Sequence, residues 1–420
     1  DNSVDAILTD PPYELGFMGH AWDRSGIAYD VAMWREALRV LKPGGHMLAF
    51  SGSRTYHRMT CAIEDAGFEV RDSIMWVYGS GFPKSLDISK ALDKLHGAER
   101  QVVGQQDRAA CGRDEGYGFG ESFDITAPAT LIAQLWEGWG TGLKPAHEPI
   151  CVARKPMAAD TVAANILAHG VGGINIDGCR VPIDPVADAS QLRTMHVNPH
   201  DGADGWGMNK NCPPGGVSGV RVLGTEGRWP ANFIHDGSPE VLAMFPETKS
   251  NNGKGTWSTG KAGYAGGFGA CESQTYGDSG SAARFYQQCP WTQEDLEQAL
   301  FYYCAKASKR DRDEGLEAFA VRRCGGMRGT VDGSMLTRSG NPRTTSRANH
   351  HPTVKPTALM RYLARLICPA GGTVLDIFAG SGSTGKAAIL EGFQFIGFEL
   401  ETEFTDLANA RIEHARLARG

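Results

Sequence analysis

Apolar and polar positions fall into two orderly blocks separated by a long irregular one. Residues 4–9 (Val-Asp-Ala-Ile-Leu-Thr) form a short apolar run that stops at Asp10 and two prolines, the pattern of a buried strand and its exit. Residues 30–41 carry Ala32, Trp34, Ala37, Leu38 and Leu41 at helical spacing, and Pro43-Gly44-Gly45 is expected to stop that helix. His46 to Phe50 predicts a second strand, residues 54–66 a helix ended by Gly67, and Phe68 to Tyr78 a third strand. A further amphipathic helix is predicted over 126–139 and a strand from His147 to Arg154. Strands alternating with helices argue for a parallel α/β sheet.

After Lys155 the pattern changes. Residues 201–285 hold 18 glycines in 85 positions, with Trp206, Trp229 and Trp257 among them, and cannot be mostly regular helix or sheet. Part of this stretch, 249–281, is near low complexity. Order returns at the end. Pro356 opens an amphipathic helix over 357–368, residues 373–377 read as a buried strand, and a glycine-rich turn leads into a helix to about Glu391. Residues 394–399 form a last strand and 402–418 a closing helix. The expected organisation is a first half of an α/β core over 1–155, an insertion over 156–345, and a second half over 346–420.

At 420 residues the chain is long for one domain, which agrees with a core plus an insertion. It is 41% hydrophobic and 21% charged, with no apolar run of membrane-spanning length. The first residues lack a signal peptide and a starting Met and lead straight into a strand, so a longer N-terminus is expected. The 10 cysteines include no Cys-x-x-Cys pair, which points to a reduced, cytoplasmic setting. The net charge of −6 is unevenly spread: residues 306–365 hold 13 Lys/Arg and 5 acids, a surplus of +8, leaving −14 elsewhere. That basic segment can contact phosphates, or it can be a solvated surface.

The residues from Asp376 to Thr384 (Asp-Ile-Phe-Ala-Gly-Ser-Gly-Ser-Thr) lie between a strand and a helix. Gly380 and Gly382 allow a tight turn and close approach to a ligand. Glu399 ends the next strand, 19 positions after Gly380, where an acid can accept the hydroxyls of a ribose. Together they indicate a nucleoside-containing cofactor, with Phe378 placed to pack against a flat adenine or a thioether. Alone, the glycine turn is equally a plain strand–helix connection. Gly380 to Lys386 also fits a phosphate-binding loop, but Ala387 lacks the hydroxyl that would hold Mg²⁺, which argues against a nucleotide hydrolase.

Asp10-Pro11-Pro12-Tyr13 sits at the carboxyl end of its strand, where open α/β sheets place their sites. The group suits methylation of an aromatic amine, whose lone pair is delocalised into the ring. An acceptor at each N–H draws the nitrogen toward tetrahedral geometry: the Asp10 carboxylate can be one and the Pro11 carbonyl the other. Pro12 has no N–H and a fixed φ, which steadies that carbonyl. Tyr13 offers a face on which an extruded base can stack. In isolation the tetrapeptide is also a plausible strand exit, and its weight comes from the glycine turn and Glu399 in the second half.

These residues resemble the DNA amino-methyltransferases of the permuted β group, in which the catalytic tetrapeptide precedes the cofactor loop. The family's motifs match Asp10-Pro11-Pro12-Tyr13, the loop Asp376 to Thr384, the H-P-T-x-K-P segment at His351 to Pro356, and the ribose acid at Glu399 beside Leu400. Leu41 to Gly45 and His147 to Ile150 match a helix end and the last strand. The resemblance implies S-adenosylmethionine as methyl donor, with a methyl already activated on a sulfonium, so that positioning and charge stabilisation dominate catalysis. It implies that Asp10, Pro11, Pro12 and Tyr13 act on the base, and that Thr353, Lys355, Pro356, Asp376, Phe378, Ala379, Gly380, Ser381, Gly382, Ser383, Thr384, Glu399 and Leu400 hold the cofactor. It implies a Rossmann-like, doubly wound, mostly parallel seven-stranded sheet and double-stranded DNA as partner, with a cognate restriction endonuclease and a monomer or homodimer left open. Asp10 in place of Ser points by family habit to adenine N6 over cytosine N4. The insertion is similar to that of phage and prophage members, with the phrases Gly173 to Asp177 and Gly227 to Asn232, and by position it is the target-recognition region. A strand and helix that precede the catalytic strand in family members are missing here, which implies weaker cofactor binding.

His20, Trp22 and Asp23 fit loop packing better than base contact, and Trp76 fits the core better than a site flanked by Lys84. Arg322, Arg323 and Arg328, close to Gly325-Gly326, can reach phosphates or guanine edges, or simply face solvent. The His350-His351 pair has no partner ligands at suitable spacing, so no metal is expected. Two functions remain in view: a methyltransferase of DNA amino groups, and a catalytically silent DNA-binding protein of the same fold, against which Asp10 and Glu399 argue.

Overall fold

The computed structural model describes residues 1–16, 21–79, 85–107, 122–182, 193–196, 220–223, 227–249, 254–256, 272–274, 279–288, 307–323 and 346–419. His20, Lys84, Gly325-Gly326 and Arg328 lie outside these residues, as do the side chain of Arg323 and most of the glycine-rich stretch. Chain contacts separate a larger unit (Asp1–Asn175, Asn232–Ser238 and Cys289–Gly420) from a smaller one (Ile176–Ala231 and Pro239–Gln288).

Among the described residues the larger unit contributes seven strands to the main sheet. They are β1 (Val4–Thr9), β2 (Leu41–Phe50), β3 (Glu69–Val77), β4 (His147–Arg154), β5 (Phe233–His235), β6 (Thr373–Asp376) and β7 (Gln394–Gly397). Their order across the sheet is β5-β3-β4-β2-β1-β6-β7. All neighbours run parallel except at β4, which is antiparallel to both β2 and β3. The expectation of a mostly parallel, doubly wound sheet is met. β1 is buried at every position, as a central strand covered on both faces must be. Ile7, Met47 and Leu375 join Trp34 of helix α1 (Val31–Val40) and Ile63 of α2 (Tyr56–Asp65) in one apolar core.

Two element boundaries differ from the sequence pattern. Pro43-Gly44-Gly45 does not interrupt the chain between helix and strand; β2 begins at Leu41 and runs through it. Gly44 adopts φ +80°, and the pairing with β1 shifts register between Val4 and Ala6. The helix expected over 126–139 is reduced to α4 (Leu131–Leu135). Its late start goes with Asp93, on α3 (Ile88–Leu95), whose buried carboxylate takes the N–H groups of Ala129 and Thr130 and the Thr130 hydroxyl just before Leu131. α3 itself, and the hairpin Val102–Asp107 with Ser122–Thr126, had no legible signal.

The larger unit takes in residues beyond 155. α5 (Val162–His169) carries Asn165, fully buried, whose amide donates to the carbonyls of Pro43 (2.8 Å) and Val171 (2.9 Å) and accepts from Ala158 N–H (3.1 Å). The phrase ending at Asn232 acquires a role too. The Asn232 carbonyl accepts from Met75 N–H (2.9 Å) and its amide reaches Asp72 (3.1 Å), which seats β5 beside β3. The smaller unit is built of short antiparallel ribbons: Arg193–His196 with Val220–Leu223, Glu247–Lys249 with Ser279–Ser281, and Lys254–Thr256 with Glu272–Gln274. No helix among the described residues is long and apolar enough to cross a membrane.

Asn165→Ala leaves two buried carbonyls and one N–H without partners. We expect a loss of about 2–3 kcal/mol of stability, read as a lowered urea midpoint at unchanged slope.

Candidate active site

β1 and β6 are parallel neighbours, and the strand order reverses between them, with β2 on one side and β7 on the other. Their carboxyl ends therefore open at one edge and leave a crevice there. Asp10 leaves β1 into it and the glycine loop leaves β6 into it. Thr9 Oγ1 donates to Asp376 Oδ1 (2.8 Å), which ties the two ends together across 367 positions of sequence.

The Asp10 carboxylate is asymmetric. Its Oδ2 pairs with the ammonium of Lys355. Its Oδ1 is buried and accepts no hydrogen bond among the described residues. Lys355, only 3% exposed, also lies 3.8 Å from Glu148 Oε2. Its ammonium sits over the rings of Phe50 (4.7 Å to the centroid) and Tyr13 (5.3 Å), so two aromatic faces share its charge with the acids. Tyr13 is held at both ends: its carbonyl accepts from Thr55 Oγ1 (2.8 Å) and its hydroxyl donates to Glu148 Oε2 (2.9 Å). Burial, with the negative charge of Asp10 next in effect, pushes the Tyr13 phenol well above its ordinary range, so it remains a donor.

Asp376 organises the glycine loop. Besides Thr9 it accepts from Phe378 N–H (3.0 Å) and Thr384 Oγ1 (2.5 Å). Burial raises its carboxyl to about 6 against the pull of these donors. Gly380 turns at φ +53° and its N–H donates to Glu399 Oε2 (2.8 Å), while Glu401 N–H donates to Oε1 (3.0 Å). Each Glu399 oxygen keeps a second lone pair for a ligand hydroxyl. A side chain at Gly380 would stand 3.0 Å from the His351 ring, and one at Gly382 (φ +78°) 2.8 Å from the backbone of Ala408. Both glycines are required by close approach as well as by conformation. His351 is neutral: burial, then the neighbouring Arg312, Lys355 and Arg411, bring it down to about 3.

Behind the loop lies a cluster that sequence reading did not find. Arg411, fully buried on α9 (Thr402–Arg419), donates to the Ser381 carbonyl (2.7 Å) and to the carbonyl of Asp311 (3.1 Å). Asp311 lies on the short helix α6 (Lys309–Asp313) and accepts from Lys386 Nζ (2.9 Å) and Thr357 N–H (2.8 Å). Burial opposes its charge, but Lys386, Arg411 and Thr357 hold its carboxyl below the usual range. Arg312 of the same helix is buried and donates to the His351 carbonyl (2.6 Å), and Asn349 donates to Ser381 Oγ (3.0 Å). Part of the basic segment, read from the sequence as able to contact phosphates or as a solvated surface, is paired or buried within the fold. Arg312 and Lys355 are buried, Lys386 of the phosphate-loop pattern is bound to Asp311 and Glu314, and Arg361 and Arg365 both pair with Glu391. Arg322 pairs with Glu403.

A cavity of about 630 Å³ fills the crevice, within the ordinary size range of ligand sites. Of the residues expected to act there, Asp10, Pro11, Pro12, Tyr13, Thr353, Lys355, Asp376, Phe378, Ala379, Gly380, Ser381, Ser383, Thr384, Glu399 and Leu400 line it. Pro356 and Gly382 stand outside the wall, at the starts of α7 (Thr357–Ile367) and α8 (Ser383–Glu391). Trp22 and Asp23, expected to pack within their loop, line the cavity as well, whereas Trp76 is in the core as expected. Glu148 was legible only as part of a strand. The available signal was an acid inside a strand buried at nearly every position, where a charge is costly unless paired.

A family profile described as DNA methylase matches residues 4–410. Over 66 residues, 16% of the chain, it is 41% identical to the DNA adenine methyltransferase YhdJ of Escherichia coli, covering 22% of that protein. Over 69 residues, again 16% of the chain, it is 39% identical to the type II methyltransferase M.BglI of Bacillus subtilis, covering 20% of that protein. The chain thus spans about a fifth of the length of the curated relatives it matches. The crystal structure of the M1.HpyAVI–SAM complex aligns over 98% of this chain and 89% of its own, at 14% identity and a TM-score of 0.34.

The raised carboxyl of Asp376 predicts a pH signature. Its folded value exceeds that of an unfolded Asp, about 3.9, so the native state binds the proton more tightly. That stabilisation is complete below about pH 4 and is lost as pH rises through about 6. Compared with Asp376→Asn, the wild type should therefore lose up to about 3 kcal/mol between pH 4 and 7.5. Denaturant titrations at the two pH values would show the gap; curves whose separation does not depend on pH would refute it.

Proposed function

Because the chain belongs to the N6/N4 family of DNA methylases, we propose that it transfers a methyl group from S-adenosylmethionine to an exocyclic amine of DNA, and that the target is N6 of an adenine turned out of the duplex. The observation that carries this reading is Asp10 Oδ1, a buried acceptor that no donor among the described residues reaches, on the wall of the cavity that also holds Glu399. A site that leaves such an atom unsatisfied is built for a donor that arrives with the substrate.

The wall divides by chemistry. Glu399, steadied by Gly380 and Glu401, is suited to the ribose hydroxyls, and Phe378 and Phe398 to the adenine ring of the cofactor. When bound there, S-adenosylmethionine supplies a methyl group already activated by its sulfonium. Asp10 Oδ1 accepts one N–H of the target amine and the Pro11 carbonyl the other, which localises the nitrogen lone pair. The Tyr13 ring, fixed by Thr55 and Glu148, gives the extruded base a flat support. As the nitrogen gains the methyl and a positive charge, Asp10 opposes that charge and then takes one of its protons. The choice of adenine over cytosine N4 rests on the Asp at position 10 and on the resemblance to adenine enzymes. Double-stranded DNA is the partner in this reading.

The protein, incubated with labelled cofactor and unmethylated DNA and digested to nucleosides, should yield N6-methyladenine. Label in N4-methylcytosine would move the target to cytosine, and DNA binding without label would favour a silent binder. Asp10→Ala should lower transfer by roughly a thousand-fold and leave DNA affinity largely intact; retained activity would remove Asp10 from its role.

A further inference from the structure

We infer that Glu148 is a positioning residue for this reaction, acting through Lys355 and Tyr13 to aim Asp10 and to keep the cluster negative where the amine becomes positive. The inference rests on the reading of the crevice as a methyl-transfer site.

Glu148 lies on β4, opposite Trp76 of β3, and is 4% exposed. A carboxylate in such a place is costly, and it is kept here beside two groups that both touch the catalytic tetrapeptide. One is the Tyr13 hydroxyl, which donates to Oε2 at 2.9 Å. The other is the Lys355 ammonium, 3.8 Å from the same oxygen and paired with Asp10 Oδ2. The consequence for Asp10 is directional. Lys355 occupies Oδ2 and leaves Oδ1 as the oxygen that can meet an incoming N–H.

The consequence for charge is the stronger point. An ammonium paired with Asp10 alone would cancel the carboxylate and repel the positive charge that develops on the amine. With Glu148 sharing that ammonium, the two acids and one base sum to a net charge of about −1. Lys355 then serves orientation without removing the electrostatic help that Asp10 gives. Among the described residues, the other titratable groups facing this cluster include Tyr13 and Asp23 after β1, Tyr78 after β3, Asp376 at the end of β6 and the buried His351 before α7.

Glu148→Gln removes the charge and keeps an acceptor for the Tyr13 hydroxyl. We expect kcat to fall roughly ten-fold or more, with KM for S-adenosylmethionine and Kd for DNA within about two-fold of the wild type. In the pH profile of kcat the acid limb should move to lower pH, because Lys355 then serves Asp10 alone. Lys355→Met should move the same limb to higher pH, Lys355→Arg should return it, and Glu148→Asp should recover part of kcat. Opposite displacements in the two charge-removing variants are not produced by packing damage. Limbs that stay in place, or move in the same direction in both, overturn the role of Glu148 while wild-type transfer stands. A wild-type protein that transfers no methyl group overturns the reading of the site, and the role of Glu148 with it.

Discussion

The parallel pairing of β1 with β6 is the constraint on which the rest of the molecule depends. Ala6 lies opposite Val374 and Ile7 opposite Leu375, so both strands end at one level and their next residues enter the same space. The Thr9 to Asp376 hydrogen bond, formed where the two strands end, ties them together at that level. The tetrapeptide and the glycine loop, distant in sequence, become one site because the two central strands are adjacent and the order reverses between them.

Buried charge supports this crevice from two sides. Behind the glycine loop, Asp311, Lys386 and Arg411 compensate one another and fasten Ser381 and Thr357, so the loop rests on a polar layer instead of an apolar one. In front, Asp10, Lys355 and Glu148 form a second layer with aromatic rings around it. Breaking one member of such a set leaves an uncompensated charge, so each set holds its surroundings in a single arrangement. The rear set uses its charge for rigidity. The front set faces the cavity, where Asp10 Oδ1 accepts no hydrogen bond among the described residues.

Where the sequence pattern misjudged an element, a distant side chain was responsible. Asp93 captures the amides of Ala129 and Thr130, so the helix expected from 126 starts only at Leu131. The helix that ends before Pro43 was legible, but the strand's start at Leu41 was not, because Gly44 bends within the pairing and Asn165, near the start of the insertion, holds Pro43. The glycine-rich insertion offered no periodicity, yet Asn232 within it proves to be the point where a strand joins the sheet edge beside β3.

The sequence by itself determined most strands and helices of the core and the motifs on which the proposed chemistry rests. Apolar runs of period two and 3.6 mark strands and helices locally, and Asp10 to Tyr13, Asp376 to Thr384 and Glu399 are contiguous motifs whose residue types carry their meaning. Only the tertiary structure decided how charge is distributed among them. Lys355, legible as part of a cofactor segment, became the partner of Asp10; Glu148, one residue of a strand, became the partner of both Lys355 and Tyr13; and Arg312, one of a basic run, became internal. Coulomb energy and desolvation depend on distance and burial in space, and neither is written in the spacing of residues along a chain.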